Sequence, residues 1–279
     1  MMVPKKIHYV WLSDKPLSHL PPLHKLCIDS WKKHCPDYEI VQWDMEKCKE
    51  IIEKVKFVRE AVELKKWAFA SDYIRLWALH SEGGVYMDTD VCLFQSLDLF
   101  LANEYFTNIE FTVHFKKNKS WKMLGKDGEK KDQSKIVLHG LALQAAIFGA
   151  RANHPFLKSC MSYYENNDFI LPGGKLNIEN ISPHVYAHTA QEYGFLYKDE
   201  LQKLKEGMII YPSNVFLPSC VKSKFKPFAV HVTVGTWRPF LQRLTRFIKR
   251  KLQKPVEEQL KDYENKVPLK FQGKNENSI

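Results

Sequence analysis

Four charged side chains in one stretch could do chemistry together. Asp72 and Arg75 lie three residues apart, and Asp88 and Asp90 flank Thr89 a little further on. Carboxylates at i and i+2 can offer oxygens to a hard divalent cation, Mg2+ or Mn2+, and leave positions open for diphosphate oxygens. An Asp and an Arg at i and i+3 share one side of a helix, where they form a solvated ion pair or a polar clamp for a ligand.

The elements that must position them follow from the pattern. Trp67, Ala70, Ile74, Trp77/Ala78 and Ser81 recur at three-to-four spacing, which predicts a helix with one apolar stripe and with Asp72, Arg75 and Leu79 on a neighbouring face. Gly83-Gly84 supplies the unconstrained backbone that stops it, and Val85-Tyr86-Met87 reads as a short buried strand. That strand delivers Asp88-Thr89-Asp90 to its C-terminal end, the edge at which open α/β sheets bind ligands.

The block SDYIRLWALHSEGGVYMDTDV, with D-x-x-R, G-G-x-Y and D-x-D in that order, resembles glycosyltransferase family 32. The resemblance implies an α/β fold of the GT-A type, a nucleotide-diphospho-sugar transferase with a Rossmann-like mixed central sheet, and retention of the donor's anomeric configuration. By position it implies that Asp90 binds metal, that Asp88 bridges the ribose, sugar and metal region, and that Asp72 and Arg75 hold the donor sugar. The family opens with the I-H-x-x-W pattern found at Ile7–Trp11, which implies that Trp11 borders or stacks on the base; spacing alone fits a core tryptophan equally well. Members also carry a histidine at a late strand end, followed by Trp. Here that implies His231 as third metal ligand, and Thr236 and Trp237 as donors to phosphate oxygens in a loop that closes over the diphosphate. Where relatives start a helix with Gly-Pro this chain has Ser182-Pro183, read as an N-cap and first-turn proline.

The function expected is therefore a metal-dependent (Mn2+ or Mg2+) retaining hexosyltransferase. It would use a UDP-sugar, UDP-galactose-like, and a lipid-linked saccharide acceptor in surface polysaccharide synthesis. Two alternatives stay open: a haloacid-dehalogenase-like phosphatase with Asp88 as nucleophile, although that motif wants Thr or Val where Cys92 stands, and a sugar-nucleotide-binding module without turnover.

Composition sets bounds on this. With 279 residues, 44% hydrophobic and 13% aromatic, the chain can fill one large α/β core. No run approaches the length of a membrane span, and MMVPKKIHYVWL is too short an apolar segment for a signal peptide, so a cytoplasmic protein is expected. The six cysteines lack C-x-x-C pairs, against a zinc site and in favour of reduced thiols. Lys and Arg number 42 against 32 acids, a formal charge of +10, but seven of the basic residues lie between Trp237 and Pro255 and leave a balance of +3 elsewhere. Nucleic-acid binding over the whole surface is thus not expected.

The remaining chain reads as follows. Strands are expected at Lys6–Leu12, Tyr38–Trp43, Ile109–Phe115, within 136–149, and at Met208–Tyr211 and Phe228–Val232. Helices are expected at Leu23–His34, within 45–66 on the solvent side, at Pro155–Tyr164 and at Asn180–Glu192. The lysine-rich stretch Lys116–Lys135 reads as a mobile surface loop; His184 and His188, four apart, could make a metal pair, but two histidines on a helix surface are the commoner explanation. The catalytic domain is taken as 1–236, a basic amphipathic helix as 237–261 and a polar tail as 262–279. The stripe Phe240, Leu241, Leu244, Phe247, Ile248 and Leu252, backed by Arg and Lys without acid, fits a helix lying on anionic lipid at the cytoplasmic membrane face; packing on the domain is the other outcome.

Overall fold

The computed structural model describes residues 2–14, 20–218, 223–232 and 256–269. In chain order its elements are β1 (Lys6–Val10), α1 (Pro22–His34), β2 (Glu39–Trp43), α2 (Lys49–Lys54), α3 (Lys56–Glu63), α4 (Trp67–Glu82), β3 (Gly84–Met87), β4 (Val91–Leu93), β5 (Tyr105–Phe111), α5 (His114–Lys117), β6 (Leu141–Leu143), β7 (Ile147–Ala150), α6 (Pro155–Glu165), α7 (Ser182–Ala190), β8 (Gln202–Lys203), β9 (Met208–Tyr211), β10 (Phe216–Pro218), β11 (Ala229–His231) and α8 (Val256–Glu264).

The main sheet runs β2-β1-β3-β7-β5-β9-β8, with β6 added to β5. Strands β2, β1 and β3 are parallel, joined by right-sized helical crossovers, whereas β7 is antiparallel to both neighbours. This is the mixed α/β sheet that the sequence implied. A second sheet, β10-β11-β4, stands beside it. The Asn108 amide in β5 ties the two by donating to Phe216 O at 3.0 Å. Phe100 fills the space between them, against Phe106, Phe216 and Phe228.

Helix α4 is not the two-faced helix its stripe suggested. It packs on α3, α6 and the sheet together, and every residue from Phe69 to Leu76 is buried. A helix enclosed on all sides must be apolar all round or satisfy its polar groups internally, and Asp72 and Arg75 take the second course. Helices α2 and α3 likewise bury Ile51, Phe57, Val58 and Ala61 and are only half solvent-facing.

The turn from α4 to β3 needs its glycines. Gly83 and Gly84 have φ of +67° and +116°, and a Cβ on Gly84 would meet Lys6 O at 2.9 Å. His8, fully buried in β1, locks this turn: its Nε2 lies 2.9 Å from Gly83 O, and Trp43 Nε1 donates to its Nδ1 at 3.0 Å. Nδ1 must therefore be the bare nitrogen and Nε2–H the donor, so the ring is neutral in one tautomer.

Several expectations need correction. Strand β5 starts at Tyr105 and ends at Phe111, because polar Thr107 and Asn108 are buried and paired there. Lys116–Lys135 is built rather than loose. It takes in the end of α5 and a 3-10 turn, Ser120 Oγ donates to His139 O at 2.7 Å, and Lys130, 2% exposed, donates to Lys135 O and to His188 Nδ1. His184 is buried rather than on the surface. Residues 262–269, read as the start of a tail, pack on the domain: Tyr263 meets Phe94 edge-on, and Glu264 receives Lys33 and Lys226. Most of the expected basic helix, with Thr236 and Trp237, lies outside the described residues, as does Cys220. The five described cysteines are buried and form no disulfide. No helix among the described residues is long and apolar enough to cross a membrane.

Burial pushes His8 down to about 4, with Lys47 and Lys6 adding to the effect. The unfolded chain then binds a proton near pH 6.5 that the native chain refuses, so this contribution is present above that pH and is lost as pH falls towards 4. Urea denaturation between pH 7 and 4 should show the slope of stability against pH becoming shallower in His8→Gln by up to about one proton, roughly 1.4 kcal/mol per pH unit. Identical slopes for the two proteins would show that His8 does not titrate with unfolding.

Candidate active site

Strand β3 ends at Met87 and the chain turns through Asp88-Thr89-Asp90. Asp88 N–H donates to Ala146 O at 2.8 Å, Val91 N–H closes the turn on Asp88 O at 2.9 Å, and Trp31 Nε1 donates to Val91 O at 2.7 Å from α1. The turn is thus pinned from three sides before any ligand binds. Strand β11 completes it from the far end of the chain. It pairs antiparallel with β4 so that His231 stands opposite Val91, and Val232 N–H donates to Asp90 O at 2.8 Å.

This register sets His231 Nε2 3.3 Å from Asp90 Oδ1. Asp88, Asp90 and His231 each offer one ligand atom, and these atoms all lie within 4.8 Å of one another. Two carboxylates and an imidazole suit a cation such as Mn2+. Burial alone would push His231 down, but the Asp90 carboxylate, helped by Asp88, outweighs it and raises the imidazole to about 9. Without a cation the imidazolium neutralises the carboxylates, and a cation binding there would displace its proton.

Arg75, 5% exposed, spends its guanidinium entirely inside the protein. It donates through Nε to Ser71 O at 3.1 Å, through one terminal nitrogen to Ala145 O at 2.8 Å, and through the other to Ser71 Oγ at 2.9 Å. That last nitrogen also lies 3.0 Å from Asp72 Oδ1 and 3.5 Å from Asp88 Oδ1. The guanidinium stacks 4.8 Å from the Tyr86 ring, whose hydroxyl donates to Asp88 Oδ1 at 2.7 Å. The solvated ion pair, the commoner outcome on spacing, is excluded. Asp72 feels its burial most, and although Arg75 and Ser182 counter this, its carboxyl is raised to about 6.

These residues line one cavity of about 400 Å3. Trp11, Asp72, Arg75, Asp88, Asp90 and His231 all face it, so every predicted site residue that the structure describes is brought together. Its lining mixes aromatic side chains, Trp11, Trp67 and Phe69, with polar and charged ones. Trp11 is half-buried: it packs against the hydrophobic cluster around β1 and also lines the cavity. It stands edge-on to His24 at 5.2 Å, and His24 Nδ1 lies 2.7 Å from Thr89 Oγ1, linking the end of β1 to the turn. The residues missed are His24, Glu110, Gln144 and Ser182. Glu110 and Gln144 occur in runs that look like ordinary strand, and no local signal marks them. Ser182 is the first residue of α7, not its N-cap, which is Ile181. His184 and His188 belong to no metal-ligand group among the described residues.

Removing one member of a buried charge network leaves the others uncompensated, typically at about 3–5 kcal/mol. Arg75→Ala should therefore lower the thermal midpoint by roughly 6 °C or more, besides damaging the cavity. A midpoint within a degree of wild type would show that the network carries no stability.

Comparison with known proteins gives similarities at the level of sequence and of fold. The family model described as a glycosyltransferase sugar-binding region containing a DXD motif matches residues 21–107, from α1 through the Asp88-Thr89-Asp90 turn into β5. A protein of Acanthamoeba polyphaga mimivirus described as an uncharacterized glycosyltransferase is 22% identical over 258 residues, covering 90% of each chain. Among solved structures, the PaToxG glycosyltransferase aligns with 68% of this chain and 69% of its own at 17% identity and a TM-score of 0.44. Mouse xyloside xylosyltransferase 1 aligns with 84% and 99% at 9% identity and a TM-score of 0.47. The D-x-x-R helix, the G-G turn and the D-x-D motif all fall within the matched region, so residues 21–107 are similar to the DXD-containing sugar-binding region of glycosyltransferases.

Proposed function

We propose that the protein transfers a hexosyl group from a UDP-sugar, UDP-galactose-like, to a saccharide acceptor with retention of configuration. The observation that carries the reading is the convergence of Asp88, Asp90 and His231 on one rim of a cavity whose floor is the Asp72–Arg75 pair. The Trp11 indole suits a planar base, the two carboxylates and the imidazole suit a metal-bound diphosphate, and the Asp72–Arg75 pair suits the sugar. A bound Mn2+ or Mg2+ would neutralise charge that develops on the leaving diphosphate.

The protein's own groups do the rest. Asp90 and His231 would hold the cation, Asp88 would join the metal and sugar regions, and Asp72 and Arg75 would orient the sugar. Asp88 Oδ1 already accepts from Tyr86 and faces Arg75, which disfavours it as a nucleophile and with it the phosphatase alternative. A same-face displacement, in which the leaving phosphate takes the acceptor's proton, fits a site of this kind. Thr236 and Trp237 would close over the diphosphate. The acid-free basic segment 237–254 supports a lipid-linked acceptor in surface polysaccharide synthesis, reached by docking on the cytoplasmic membrane face.

The test is product analysis with Mn2+ across UDP-, GDP- and ADP-sugars: release of UDP and glycosylated acceptor supports transfer, whereas inorganic phosphate supports the phosphatase. Asp88→Asn and Asp90→Asn should each cut transfer by about 10²–10³ while the fold persists. His231→Ala should raise the Mn2+ concentration needed for half-maximal rate. Near-wild-type activity in both aspartate variants would sink the assignment of the metal site.

A further inference from the structure

The N-terminus of α7 forms part of the cavity wall through Ile181, Ser182 and Pro183. It lacks the usual local cap, for Ile181 has no side chain able to accept a hydrogen bond and the first turn holds no acid. The acid comes from α4 instead. Ser182 Oγ donates to Asp72 Oδ1 at 2.6 Å, with Ser182 3% and Asp72 7% exposed, and the Ser182 backbone N–H is directed at the same carboxylate. Arg75 binds that oxygen from the other side.

A carboxylate has about four lone-pair positions and rotates about one soft torsion. Donors from two helices fix the plane of this one and leave lone pairs for a ligand. A buried hydroxyl on the cavity wall also occupies space beside that carboxylate.

We propose that Ser182 is the positioning residue of the sugar subsite: it holds Asp72 to accept from one sugar hydroxyl, and its side chain fills the adjoining space. The donors are then hexoses with an unsubstituted hydroxyl at that position, and those bearing a bulkier acetamido group are excluded. The inference rests on the reading of the cavity as a nucleotide-sugar site. Asp72 and Arg75 come from one helix and are fixed relative to each other by it, whereas Ser182 sets their position relative to the opposite wall.

The experiment measures UDP, UDP-hexose and UDP-N-acetylhexosamine binding by calorimetry with Mn2+, together with kcat and KM, for wild type and for Ser182→Ala, Ser182→Thr and Ser182→Gly. Ser182→Ala should bind UDP within about twofold of wild type but UDP-hexose about tenfold more weakly, as expected for loss of a hydrogen bond to a charged group. Ser182→Thr keeps the hydroxyl and should recover most of that loss, while Ser182→Gly should gain affinity for the N-acetyl donor. Unchanged UDP-hexose binding in Ser182→Ala would overturn the inference alone. So would parallel losses in the Ala and Thr variants that track their thermal midpoints, since that marks a helix cap and nothing more. A wild-type protein that binds no UDP would overturn the donor-site reading and this inference with it.

Discussion

A single buried cation organises the catalytic end of this fold. The Arg75 guanidinium is sealed from water, and a charge there persists only if anions and acceptors surround it. Its partners come from separate parts of the chain: Asp72 and Ser71 from its own helix, Ala145 O from the approach to β7, Tyr86 from β3 and Asp88 from the turn that follows it. Satisfying Arg75 therefore draws the helix, the sheet edge and the D-x-D turn into one arrangement. The pair serves as scaffold and as the floor of the cavity at once.

The same economy runs through the turn that joins α4 to β3. The two glycines allow the chain to reverse sharply, and His8 reads the outcome from β1 by accepting from Trp43 and donating to Gly83 O. The direction in which β3 leaves the turn fixes where Asp88 emerges. On the other side of the aspartates, Trp31 and the pairing of β4 with β11 hold the exit. Preorganisation of this kind lets charged groups meet a developing charge without first rearranging.

What the sequence made legible was local. The stop of a helical pattern at Gly83-Gly84, the short apolar run after it and the spaced aspartates could be read directly, because each signal lies within a few residues. What it hid depended on distant partners. Ser182 looked like a helix cap because serine before proline does that locally; its hydroxyl instead serves an aspartate on another helix. Lysine-rich 116–135 looked loose on charge, but a buried lysine there finds acceptors in a backbone carbonyl and His188. Asn108 hid the start of strand β5 in the same way, since its amide is satisfied by the neighbouring sheet. Polar residues whose partners are remote read as surface, and their burial becomes apparent only in three dimensions.

The pairing of β11 with β4 has a consequence for how the protein comes into being. Asp88 and Asp90 leave the ribosome early and His231 near the end, so an incomplete chain carries the D-x-D turn without its imidazole and without the backbone bond from Val232 to Asp90. Until β11 docks, Asp88 has Arg75 beside it but Asp90 lacks the imidazole at 3.3 Å. The Asp88, Asp90 and His231 group therefore exists only once β11 has been synthesised and has paired with β4, so its assembly is a late event in the making of the chain.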